Sequence, residues 1–123
     1  MLGLVAKHAA QWNGAWYGFP ETADDLRTRI ANLRRALDDA GRDPATLVLT
    51  AGISVAFDGA PSNAPERAIR GTADVMADAL AGYADMGIAH LIAHVYPRSA
   101  DSVRRLAEAA DLARHRLGAV AAA

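Results

Sequence analysis

The chain has 123 residues, enough for one domain with a modest core, and 52% of them are apolar. Thirteen Lys and Arg against fourteen Asp and Glu leave a formal charge of -1, which offers no basic face to nucleic acid or to an anionic membrane. Cysteine is absent, which excludes disulfides and thiolate metal sites; no run approaches the roughly 20 apolar residues of a membrane span, no secretion signal precedes the first helix, and a cytoplasmic location is the expectation.

Leu4 to Asn13 reads as a helix-to-strand step, with the strand over Ala9–Asn13. From Thr22 to Ala40, Leu26, Ile30, Leu33 and Leu37 recur at helical spacing; Thr22 is the expected N-cap, and Gly41 with Pro44 stops the helix. Leu47 to Phe57 alternates as a strand does. Leu47, Leu49, Ile53, Val55 and Phe57 point one way, and the smaller Thr50, Gly52 and Ser54 the other. A loop over Asp58–Arg70 leads to Gly71-Thr72 and a second helix carrying Met76, Leu80 and Tyr83, closed by Gly87. Ile88 to Val95 is a short apolar strand holding two histidines. Pro97 to Ser102 opens a last helix with Val103, Leu106, Ala110, Ala113 and Leu117, and residues 118–123 read as a frayed tail.

This alternation predicts an α/β domain over residues 1–123, built of right-handed βαβ units on a parallel sheet. Three strands leave two unpaired edges, which a free-standing protein must cover or pair with another chain.

Leu-Val-Ala-Lys-His-Ala-Ala-Gln-Trp-Asn at residues 4–13 resembles a segment of luciferase-like flavin-dependent monooxygenases and deazaflavin-dependent oxidoreductases, written Ala-x-Tyr-Ala-Asp-x-Trp-Asn. Ala-Gly-Arg-Asp-Pro at residues 40–44 is similar to a recurrent helix end of that family. Gly-Thr-Ala-Asp-Val-Met-Ala-Asp-Ala-Leu and Tyr-Ala-Asp-Met-Gly-Ile-Ala-His-Leu-Ile resemble its last helix-strand pair. The resemblance implies a partial (β/α)8 TIM-type barrel. Such barrels take about 250 residues, so this chain would hold about the last three βα units. It also implies that the loop cradling the coenzyme phosphate lies ahead of the helix at Leu4–Ala9, where Met1 stands, and that the earlier strands lie elsewhere. Ala10 occupies the position where the family usually has Asp.

In a barrel, the loops at the C-terminal strand ends face the catalytic side; here these are Gly14–Glu21, Asp58–Arg70 and Tyr96–Ser102. Trp12, Asn13, Trp16 and Tyr17 suit stacking against a planar ring and hydrogen-bonding its edge, and are the cofactor-binding candidates; the competing reading is that they plug the barrel end. Arg67 and Arg70 can meet a phosphate or carboxylate, or else pair with a neighbour such as Glu66. Arg98 is a third anion candidate beside a helix start, against ordinary capping by Ser99 or Ser102. His90 and His94 share a strand face with Ile92, roughly 13 Å apart by the rise per residue and too far for one metal, so no metal site is expected. His94 is the catalytic candidate, as an acid/base or donor group near the strand end, against a structural role.

The expectation is therefore the C-terminal half of an oxidoreductase or monooxygenase that uses FMN or a deazaflavin coenzyme on a small organic substrate, inactive as a lone chain. The alternative is a non-catalytic remnant or half-barrel assembly module that forms a homodimer or joins a partner half-barrel. A displaced start codon or broken gene is a third possibility.

Overall fold

The computed structural model describes residues 2–122, with side chains through residue 118. Its frame is set by β2 (Val48–Ala56), the centre of a three-stranded parallel sheet ordered β1-β2-β3, with β1 at Gln11–Tyr17 and β3 at His90–Tyr96. The helices are α1 (Leu2–His8), α2 (Asp24–Asp39), α3 (Ala73–Asp85) and α4 (Ala100–Ala122). Domain class and element order follow the alternation of the sequence.

One face of β2 presents Ala51, Ile53 and Val55, fully buried beneath Leu26 and Ile30 of α2, Met76, Leu80 and Tyr83 of α3, and Ala109 and Ala113 of α4. Right-handed crossovers between parallel strands bring successive helices to the same side of a sheet, which is the side this cluster fills. A smaller cluster closes one end, where Ala6 of α1 meets Leu33, Leu37 and Leu47. Arg116 of α4 pairs with Asp74 and Asp78 of α3 and ties the two helices together. No described helix is long and apolar enough to cross a membrane.

Two helices end in the same way. After α2, Gly41 adopts φ 68° while the Arg42 N–H donates to Leu37 O and the Gly41 N–H to Asp38 O; after α3, Gly87 adopts φ 91° while Ile88 and Gly87 donate to Tyr83 O and Ala84 O. These paired bonds satisfy carbonyls that the helix itself leaves orphaned, and they require the left-handed residue that glycine supplies without a Cβ clash.

Several boundaries differ from expectation. The first strand runs over Gln11–Tyr17 rather than Ala9–Asn13, so Gly14 to Tyr17 are strand residues and the loop begins at Gly18. Thr22 does not cap α2. It lies in a 3-10 turn opened by Pro20, its hydroxyl donates to Phe19 O, and the cap position falls to Ala23 without a side-chain bond. The third strand starts at His90, because Ile88 is used in closing α3. Thr72 does cap α3, accepting from the Val75 N–H, and Ser99 accepts from the Ser102 N–H at the start of α4. The tail expected at residues 118–123 continues the helical backbone of α4 to Ala122; residue 123 lies outside the described residues.

Gly18 seals the C-terminal end of β1. A Cβ there would stand 1.7 Å from Arg67 O, so the loop after β2 lies directly on it, and the buried Tyr83 hydroxyl donates to Gly18 O from below. Burial, joined by the nearby Tyr17, pushes the Tyr83 phenol above its ordinary value of 10.0. An upward shift in the folded state means that stability is complete below pH 10 and falls as rising pH lets the unfolded chain release this proton first. Tyr83→Phe is expected to lower unfolding free energy at pH 7 by about 1 kcal/mol, as read by urea denaturation, and to make the loss of stability above pH 10 shallower than in the unaltered chain.

Candidate functional site

Among the described residues, helices cover the sheet on one side only. The other side carries Gln11, Asn13, Ala15 and Trp16 from β1, Val48, Thr50, Gly52, Ser54 and Ala56 from β2, and His90, Ile92, His94 and Tyr96 from β3. On the two edge strands this face is open: Asn13, His90 and His94 are exposed, and Ile92 retains 44% of its accessible surface. On the central strand from Thr50 onward it is not. Thr50, Gly52 and Ser54 are buried, because side chains from the edges lean over them.

The main cover is Trp16. The ladder between β1 and β2 loses register between Gly14 and Tyr17. Ala15 and Trp16, consecutive in sequence, then both lie over Gly52: a Cβ on Gly52 would stand 2.6 Å from the indole and 3.1 Å from the Ala15 methyl. Beyond Gly52 the indole reaches β3 and stacks on His94, with ring centroids 4.1 Å apart and planes 15° from parallel. Tyr96 meets His94 edge-on at 6.3 Å. A residue of the first strand thus crosses the second to bind the third.

Asn13 faces the same side one ladder step away. The Thr50 hydroxyl donates to its Oδ1 at 2.8 Å, which fixes the amide and leaves its NH2 as the group offered outward. Trp12, by alternation, points the other way: its ring packs into both apolar clusters and lies against Gly14. Tyr17 is half-buried near the core and donates to Asp25 at 3.0 Å; burial, then the bond to Asp25, raises its phenol above the ordinary value. The four residues expected to gather around one strand end therefore divide, Asn13 and Trp16 onto the uncovered face and Trp12 and Tyr17 toward the helices.

The arginines separate as well. Arg67 is exposed, and its backbone supports Gly18. Arg70 donates to the backbone carbonyl of Glu66 and borders a cleft of about 580 Å³ at the C-terminal end of β2. Arg105, which sequence reasoning missed, enters the same cleft from α4, its guanidinium 4.9 Å above the Phe57 ring and 4.0 Å from Asp58. Gly71 and Thr72 complete the rim at the start of α3. Arg98 lies apart, in a shallow groove beside His94 and Ser99.

His90 and His94 do share the uncovered face with Ile92, and no cluster of three metal-ligating side chains occurs among the described residues. An apolar groove of about 360 Å³ lies between α3, α4 and β3, with largely aliphatic walls from Leu80, Ile88, Leu91 and Leu106. The site's chemistry is therefore that of a stacked Trp16–His94 pair with Tyr96 perpendicular to it, one amide on the same face and, at the end of β2, a cleft bordered by two arginines. Such a surface can stack a planar ring and hydrogen-bond its edge.

Gly52 was legible as an anomaly, since a glycine inside a strand weakens the strand unless something approaches closely. Gly52→Val is expected to drive the indole off the sheet, seen as a red-shifted Trp emission and loss of the near-ultraviolet circular dichroism of Trp16, with the helical far-ultraviolet signal retained.

Comparison with protein-family models, curated proteins and solved structures yields no match to this chain.

Proposed function

We propose that this chain is the C-terminal part of a luciferase-like (β/α)8 barrel, and that its uncovered sheet face contributes to the site for a flavin or deazaflavin ring in an oxidoreductase or monooxygenase acting on a small organic substrate. The observation that carries the reading is the gathering of Asn13, Trp16, His94 and Tyr96 on the side of the sheet that would face the inside of a barrel. The strand-helix order, the parallel pairing and the resemblance of residues 4–13 support it, and barrel active sites lie at the C-terminal strand ends.

The residues present fit a planar, edge-polar cofactor. Trp16 supplies a stacking surface, the Asn13 amide N–H groups can donate to a ring carbonyl or nitrogen, and Arg70 with Arg105 offers positive charge for an anionic group at the end of β2. When bound, the flavin or deazaflavin would supply hydride transfer or oxygen activation. The protein's part is to stack, orient and exclude water, and further strands would have to complete the enclosure.

A second reading is favoured by the two unpaired sheet edges and by Ile92 exposed on the edge strand β3: a non-catalytic half-barrel that pairs with a second copy or another half-barrel. Titration of the purified chain with FMN and with the deazaflavin coenzyme, followed by flavin fluorescence, separates the two. The ring-binding reading expects saturable quenching that Trp16→Ala weakens by about threefold to tenfold. A folded dimer by light scattering that shows no saturation up to about 1 mM, where binding is worth only about 4 kcal/mol, contradicts ring binding and favours assembly.

A further inference from the structure

We infer that His94 is a positioning residue that holds the Trp16 indole at a fixed orientation across the sheet and so prepares one of its faces for a flat ligand ring. The inference rests on the reading of this face as a ring-binding surface, and it assigns to His94 a role other than acid/base chemistry.

The geometry is specific. Trp16 lies one residue before the end of an edge strand, 37% exposed, and its indole lies over Gly52. A glycine offers no side chain to lock a rotamer, so orientation must come from elsewhere. The near-parallel imidazole 4.1 Å away supplies it from the far strand. His94 is braced in turn by the edge of Tyr96 at 86° to its plane, and its register partner is the buried Ser54 on β2, so the imidazole stands on the most regular part of the ladder. Both contacts of the His94 ring are aromatic, one stacked and one near-perpendicular. An indole fixed in advance loses less rotamer freedom when a ligand stacks on it, and that gain in preorganisation is what a positioning residue contributes.

The test compares His94→Ala, His94→Phe and His94→Leu in the full chain, reading the Trp16 indole N–H resonance by NMR, the near-ultraviolet dichroism and the affinity for FMN. His94→Ala is expected to move the Trp16 resonance toward its free-peptide position while that of Trp12 stays in place, with the thermal midpoint little changed and FMN affinity reduced about threefold to tenfold. His94→Phe restores both signals because a flat ring suffices; His94→Leu, of similar bulk but without a ring, does not. An unmoved Trp16 resonance in His94→Ala, or rescue by Leu equal to that by Phe, overturns the assignment. Should the unaltered chain bind no FMN, the ring-binding reading falls, and the resonance of Trp16 alone decides whether His94 positions it.

Discussion

Everything distinctive in this fold depends on the asymmetry of its central strand. On β2, Ala51, Ile53 and Val55 face one way and Thr50, Gly52 and Ser54 the other, so one side of the sheet can bury large apolar area and the other cannot. Helices are drawn to the first side because each aliphatic chain removed from water there contributes on the order of 1.5–3 kcal/mol. The second side has no such attraction. It is closed over β2 only by what the edge strands can extend across it, and Gly52 is the one position low enough for an indole to pass.

That asymmetry connects packing to the proposed function. A sheet with helices on both faces has both surfaces buried, whereas one with helices on a single face presents a second surface. In a closed barrel the remaining strands meet it; in a dimer a second copy does. Both solutions would cover Ile92 and both would place Trp16 and His94 at the boundary. The two proposed uses of the face differ in what would cover it rather than in how it is built.

Much of this was legible in the sequence because it rests on periodicity. The spacing of Leu26, Ile30, Leu33 and Leu37 marks the buried stripe of α2, and Gly41 and Gly87 mark helix ends that only a left-handed residue can make. The alternation about Gly52 gives the two faces of β2. What the sequence hides is less periodic. Gly14 to Tyr17 reads as the start of the loop Gly14–Glu21, yet the ladder continues through a register shift that turns Ala15 and Trp16 to one side. Thr22 reads as a cap because its residue type suits the position, but Pro20 starts a tighter turn first. The pairing of Trp16 with His94 joins residues on different strands, and the entry of Arg105 into the cleft depends on how α4 lies against β2; neither distance is written in local spacing.

The central claim is that one face of the sheet is uncovered apart from a strap of edge side chains. Solvent paramagnetic relaxation of assigned methyl and indole resonances tests it most directly, using a soluble inert gadolinium chelate on the chain at a concentration where light scattering shows a monomer. Strong broadening is expected at the Ile92 methyls and the Trp16 indole, with Ile53, Val55 and Leu26 untouched. If Ile92 and Trp16 prove as protected as Ile53, the face is already buried in the free chain and the account fails.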